Sequence, residues 1–191
     1  MNEERIERAT AYIRELFRDS AGSHDADHTL RVCHNALRLA DREPSCDREI
    51  VVLAALLHDV DDHKLFSTEN NANARAFLTA EGIPADRIEK ICEAVNSVSF
   101  SRNRGRRPET LEAQIVQDAD RLDAIGAIGI GRAFAFGGEH GRSLADTIGH
   151  FHDKLLLLQD LMNTDAGRKL ALSRHAFLEA FLRQWDEETH A

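Results

Sequence analysis

The sequence predicts an all-α protein, a single compact bundle of about eight helices spanning residues 1–191. Two observations carry this: apolar residues recur at helical spacing along nearly the whole chain, and no alternating apolar and polar stretch is long enough for a strand. Ile6, Ala9, Ile13, Leu16 and Phe17 form the stripe of a first helix that ends near Ser20 and Gly22. A second runs from about residue 25 to 41. Pro44 and Ser45 then break the chain, and the next helix carries an uninterrupted apolar run at 50–57, which makes it the most buried element. Ser67 or Thr68 is the expected N-cap of a helix closed by Gly82, and Pro84 precedes another that reaches about Val98. A basic loop follows, with Arg102, Arg104, Arg106 and Arg107 around Gly105. Residues 110 to about 134 read as helix with a break at Gly126, Gly129 or Gly131, and Gly137, Gly138 and Gly141 mark a further loop. Amphipathic segments at about 145–162 and 166–188 complete the set. Their aromatic stripe, Phe177, Phe181 and Trp185, is read as core, with a homodimer face as the alternative.

Composition narrows the function. Lysine and arginine number 24 against 33 aspartates and glutamates, and the formal charge of −9 argues against a general nucleic-acid binder. The longest apolar run has eight residues, where a spanning helix needs roughly 18, so no membrane is expected. The opening MNEERIERAT has no apolar targeting core, and a cytoplasmic location is the expectation. Cys33, Cys46 and Cys92 form no CxxC pair and read as reduced, packed thiols.

Ten histidines in an acidic helical chain raise a metal hypothesis, because neutral imidazole beside carboxylate suits Mn, Fe, Co, Ni or Zn. The dipeptide His-Asp occurs three times, where composition alone gives about one, so position must choose among the copies. His24–Asp25 and His152–Asp153 lie in polar surroundings and read as a cap or solvated surface. His58–Asp59 directly follows the apolar run. That places two costly polar groups at the end of a buried helix, where they need a partner such as a metal. His28 falls at the edge of the apolar arc of the second helix and can reach a shared site, or can be a core histidine bonded to a carbonyl. The third candidate is the run Asp118-Ala119-Asp120-Arg121-Leu122-Asp123. Asp120 and Asp123 share a strip with Val116, whereas Asp118 lies about 160° away, so Asp118 and Asp120 cannot both reach one ion from a straight helix.

These residues carry a resemblance. The order His28, His58-Asp59, Asp120 is similar to the H…HD…D pattern of the HD superfamily of metal-dependent phosphohydrolases. Over most of its length the chain resembles the small stand-alone bacterial HD proteins similar to nucleoside triphosphate pyrophosphohydrolases. The segments that carry it are SHDADHTLRV (23–32), LLHDVDDHK (56–64), SVSFS (97–101), IVQDADRLDAIGAIGIGRAF (115–134) and HFHDKLLLLQDLMNT (150–164). The resemblance implies an all-α HD domain, a divalent ion (Mn, Co, Ni, Fe or Mg) held by His28, His58, Asp59 and Asp120, and hydrolysis of a phosphorylated small molecule. Asp120 is taken over Asp118 because Ala-Asp-Arg-Leu resembles the family's last motif. His63 leaves a second ion open.

The expected reaction is cleavage of nucleoside or deoxynucleoside triphosphates to monophosphate and pyrophosphate. The alternatives are another nucleotide substrate, namely a nucleoside monophosphate, a cyclic nucleotide or a guanosine polyphosphate alarmone, or a catalytically silent nucleotide sensor. Asp62, three residues after Asp59, is the candidate to accept or orient the proton of the attacking water, and the resemblance points there too. Lys64 and Arg31, each close in sequence to a ligand, are the candidates to neutralise phosphate oxygens. The arginines at 102–107 either draw a triphosphate toward the site or form a solvated loop.

Overall fold

The structure is a computed structural model that describes residues 2–18, 25–63, 65–103 and 106–189, the side chains of Ser101 and Arg102 excepted. Among the described residues the chain is all-α: α1 (Glu3–Leu16), α2 (Ala26–Ala40), α3 (Arg48–Leu57), α4 (Ala72–Ala80), α5 (Ala85–Val98), α6 (Phe100–Asn103), α7 (Leu111–Asp123), α8 (Gly126–Glu139), α9 (Leu144–Asp153) and α10 (Asp165–Thr189), with a 3-10 turn at Leu155–Leu158. Every residue from Ile50 to Leu57 is buried, so α3 is the core helix. The helices α1, α2, α5 and α7 pack around it, and α8 and α10 pack on each other beside α7. No described helix is long and apolar enough to cross a membrane.

Local chemistry sets most boundaries. Asp25 caps α2, accepting the His28 amide at 2.6 Å, and Asp47 caps α3 through the amides of Glu49 and Ile50. Thr110 caps α7, and Ser143 with Asp146 forms a complete capping box on α9. Three boundaries differ from the sequence expectation and a fourth is not described. The end expected for the first helix, at Ser20 and Gly22, lies outside the described residues. Helix α4 starts after Asn71 rather than Ser67 or Thr68, because the carboxylate of Asp61 reaches across to accept the amides of Asn73 and Ala74, both at 3.0 Å. Helix α8 continues through Gly137 and Gly138, and only Gly141 turns the chain, at φ +65°. The segment expected at 145–162 breaks after Asp153. Lys154 leaves the helical region and the 3-10 turn that follows buries Leu155 and Leu158.

The aromatic stripe divides. Phe181 and Trp185 pack with Phe134 and Phe151 on the core, with Phe151 and Phe181 ring centroids 5.7 Å apart, while Phe177 is exposed. The three cysteines are free thiols, Cys33 and Cys92 buried and Cys46 half-buried.

Two glycines make the α7–α8 corner. Gly126 sits at φ +76°, which an L side chain rarely adopts, so the helix breaks there and restarts in a new direction. At Gly129 an added Cβ would stand 2.2 Å from the Ala124 carbonyl oxygen. Gly131, in the same helix, has open space where its Cβ would go. Gly129→Ala is therefore expected to lose about 1–3 kcal/mol through backbone overlap, whereas Gly131→Ala gains up to about 1 kcal/mol from helix propensity. Urea unfolding of the two variants beside wild type checks both signs.

Candidate active site

The turn that ends α3 places the His58–Asp59 pair. The helix ends at Leu57, after which the amides of Val60 and Asp62 bond to the carbonyls of Leu57 and Asp59, three residues back. The helix thus stops short of Asp62, and the i+4 spacing from His58 to Asp62 is not helical. The turn is pinned from outside. Asn73 donates to the Val60 carbonyl at 2.7 Å, and Asp61 caps α4.

His28 comes from the first turn of α2 and Asp120 from the last turns of α7, and α2 packs against both α3 and α7. The result is that His28, His58 and Asp120 bring ligand atoms within 4.8 Å of one another. His28 Nε2 stands 3.3 Å from His58 Nε2 and 3.4 Å from Asp120 Oδ1. Asp59 flanks them, its oxygens 3.6 Å from His28 Nε2 and 3.4 Å from His58 Nε2. His28, His58 and Asp59 are buried, and Asp120 is the accessible member.

The tautomers follow from the partners. His58 Nδ1 lies 2.8 Å from the Ala55 carbonyl oxygen, which can only accept, so Nδ1 carries the proton. His28 Nδ1 lies 2.7 Å from Asp123 Oδ2 and donates to that carboxylate in the same way. Each neutral ring then presents Nε2 as an acceptor, and the two acceptors face each other beside two carboxylates. Such a set repels itself unless a cation stands among its members. The donor set fits a divalent metal.

Asp123 is the residue that sequence reasoning passes over. Besides His28 it accepts from Arg31, Nε to Oδ1 at 2.8 Å and Nη2 to Oδ2 at 3.1 Å, and from Arg132 Nη1 at 2.9 Å. Burial on its own would raise its pKa; the hydrogen bonds from His28 and Arg31 and the charge of Arg132 hold it well below the usual carboxylate range. The available signal is the strip it shares with Asp120. Arg31 has the Nε and Nη2 edge of its guanidinium engaged on Asp123 and does not line the cavity at His28 and His58.

Asp118 and Asp120 separate as their angle requires. Asp118 is fully buried on the other face of α7, where it accepts from the backbone amides of Asn163 and Thr164 and from both their side chains, all at 2.8–2.9 Å. It ties α7 to the start of α10 and is neither a ligand nor a surface charge.

A cavity of about 440 Å³ opens over the cluster. Asp61, Asp62 and His63 line it near the cluster, Val95, Asn96, Phe100, Ala133, Phe136 and His150 give it apolar, amide and imidazole surface, and Arg132, Arg142 and Lys154 bring positive charge. His63 stands outside the tight ligand group, its Nδ1 3.4 Å from Asp62 Oδ1. Asp25 serves as a cap and His152–Asp153 is exposed; His24 and Lys64 lie outside the described residues. Of the arginine loop, the described Arg106 and Arg107 are exposed, do not line the cavity, and Arg107 bonds Gln114 instead.

The family profile described as HD domain matches residues 25–125, which include all four candidate ligands and Asp123. The chain belongs to the HD family. This HD protein is 37% identical over 191 residues to YpgQ of Bacillus subtilis, covering 95% of its own length and 92% of that relative. It superposes on the crystal structure of Bacillus subtilis YpgQ in complex with ADP with a TM-score of 0.83 at 35% identity, over 96% and 97% of the two chains. A crystal structure of an HD-superfamily hydrolase from Bacillus thuringiensis matches at 35% identity and a TM-score of 0.80, over 99% and 98%.

The charge state of Asp123 predicts a pH dependence. A carboxylate held below its unfolded value of about 3.9 contributes stability that is complete above that value and is lost as the pH falls toward the folded pKa. Asp123→Asn is expected to cost about 3 kcal/mol at pH 7, as for one member of a buried ion pair. Urea midpoints taken between pH 7 and pH 3 will show the gap to wild type narrowing below about pH 4; a constant gap assigns the loss to packing.

Proposed function

We propose that this HD protein is a divalent-metal-dependent phosphohydrolase that cleaves nucleoside or deoxynucleoside triphosphates to the monophosphate and pyrophosphate. The observation that carries the reading is the pair of Nε2 acceptors 3.3 Å apart, each fixed as an acceptor by the Nδ1 hydrogen bond behind it and flanked by Asp59 and Asp120. His28, His58, Asp59 and Asp120 would hold the ion, and a mixed nitrogen and oxygen set of this kind suits Mn, Co, Ni, Fe or Mg. Bound there, the ion supplies Lewis acidity toward phosphate oxygens and lowers the pKa of water toward neutrality. That YpgQ, similar over nearly its whole length, was crystallised in complex with ADP supports a nucleotide as the ligand.

The residues of the chain divide the work. Asp123 locks His28 in one tautomer and one orientation, and Arg31 and Arg132 keep Asp123 charged. Asp62, lining the cavity beside Asp59, accepts the proton from the attacking water. The water oxygen bonds to the α-phosphorus, and the bond from that phosphorus to the α,β-bridging oxygen breaks. The electron pair leaves with pyrophosphate, and the proton passes from Asp62 to solvent. Lys64 is assigned to the phosphate oxygens on which charge develops.

The test is a panel of nucleoside tri-, di- and monophosphates with Mn, Co, Ni or Mg, scored separately for phosphate and pyrophosphate. Wild type is expected to release pyrophosphate only with metal, and Asp59→Ala to lose both activity and retained metal. Asp62→Asn should keep the metal while kcat falls about 100- to 10,000-fold, the usual range for a general base. Phosphate release from monophosphates alone would move the substrate class, and purified wild type that retains no metal would overturn the reading.

A further inference from the structure

The chemistry that holds His28, His58, Asp59 and Asp120 comes from α2, α3 and α7, inside the span matched by the HD profile. The cations that line the same cavity come from beyond it: Arg132 from α8, Arg142 from the turn before α9, and Lys154 from the residue after α9. Arg132 is engaged on Asp123 and belongs to the support of His28. The other two are held differently. The Arg142 guanidinium lies over the Phe136 ring, 5.1 Å from its centroid, and the Lys154 ammonium stands 5.0 Å from the centroid of Phe100. An aromatic face helps fix where a cation sits, and a guanidinium seated on a ring keeps its N–H edge for in-plane acceptors.

The cavity also needs positive charge for a physical reason. Asp59, Asp61, Asp62 and Asp120 all line it, and a polyphosphate entering past four carboxylates is repelled unless fixed cations take up the phosphates that the metal cluster does not. His150 lines the same cavity and feels the charge of both cations. Burial pushes its pKa down, and the charges of Lys154 and Arg142 push it further the same way.

We propose that Arg142 and Lys154, with His150, form a polyphosphate-binding site that selects substrates by the phosphates beyond the one attacked. This deepens the proposed function and rests on it for the position of the attacked phosphorus. The pyrophosphate that leaves is the portion held here. Chain length rather than base identity is then what the C-terminal part of the bundle reads, because two point cations on aromatic faces bind any run of phosphate oxygens.

The experiment uses the Mn-loaded full chain with two substrates, a nucleoside triphosphate and bis(p-nitrophenyl) phosphate, and with inorganic tripolyphosphate as inhibitor of the second. Arg142→Gln and Lys154→Gln are each expected to lower the ratio of kcat/KM for triphosphate over diester about tenfold and to raise the tripolyphosphate inhibition constant by a similar factor, the scale of a charge-assisted phosphate contact. Arg183→Gln, an exposed change of equal charge on α10 away from the cavity, controls for net charge and should keep the wild-type ratio. Equal losses on both substrates, or shifts no larger than those of Arg183→Gln, overturn the proposal. If wild type hydrolyses neither substrate, the proposed function has failed instead, and calorimetry with tripolyphosphate then reads the cation site by itself. Binding by wild type that the double variant loses upholds the site, and equal binding by both removes it.

Discussion

Everything at the cluster depends on one buried charge, the carboxylate of Asp123. It lies at the end of α7, is 2% exposed, and receives four hydrogen bonds from three side chains on α2 and α8. Burying an ion with one partner removed costs about 3–5 kcal/mol, so the three partners and the carboxylate are mutually obligatory. His28 cannot take another tautomer while Asp123 is ionised, and Asp123 stays ionised because Arg31 and Arg132 are there. The orientation of one imidazole is thereby made a property of three helices. His58 is fixed more simply, by the carbonyl of Ala55 on its own helix. One ring is set by local geometry and the other by tertiary structure, and the two meet at their Nε2 atoms.

This asymmetry explains what can be read in the chain. The run at 50–57 ending in His58–Asp59 announces itself, because burying eight apolar residues and then two polar ones is a local anomaly that needs no knowledge of partners. The angular argument on α7 works for the same reason: a straight helix sends Asp118 and Asp120 to different faces, and Asp118 is used at the start of α10. What stays hidden depends on residues far apart in sequence. Arg31 reads as a phosphate ligand because its neighbour His28 is a candidate metal ligand, and nothing near it shows that Asp123, 92 residues away, will take the Nε and Nη2 edge of its guanidinium. The start of α4 is misread in the same way, since Asp61 supplies the cap expected from Ser67 or Thr68. At α8 intrinsic propensity loses to packing. The break expected at Gly126 is present, but Gly129, Gly131, Gly137 and Gly138 are carried in one helix, which Phe134 seated against Phe151, Phe181 and Trp185 holds on α10.

The corner at Gly126 then acquires a functional meaning. Helix α8 places Arg132 against Asp123, nine residues earlier, because the chain turns between them, and Gly126 in the left-handed region with Gly129 against the Ala124 carbonyl makes that turn tight. The same course carries Ala133 and Phe136 to the cavity, so the corner that completes the support of His28 also builds the wall over it. Fold and site share one turn.

Charge completes the argument. The chain carries −9 overall, and four aspartates line the cavity. At an effective dielectric of about 20, two like charges 4 Å apart repel by about 4 kcal/mol, so several carboxylates around one opening repel a polyanion by more than any single cation can offset. Under the proposed function a triphosphate therefore reaches the floor only when a divalent ion is already there or arrives with it, and the ion and the nucleotide bind with positive coupling. Cations on the α8–α9 side, Arg142 over Phe136 and Lys154 over Phe100, lower the barrier for the remaining phosphates. A cavity so divided admits a nucleotide according to its phosphates and its metal together, and each is a condition on the other.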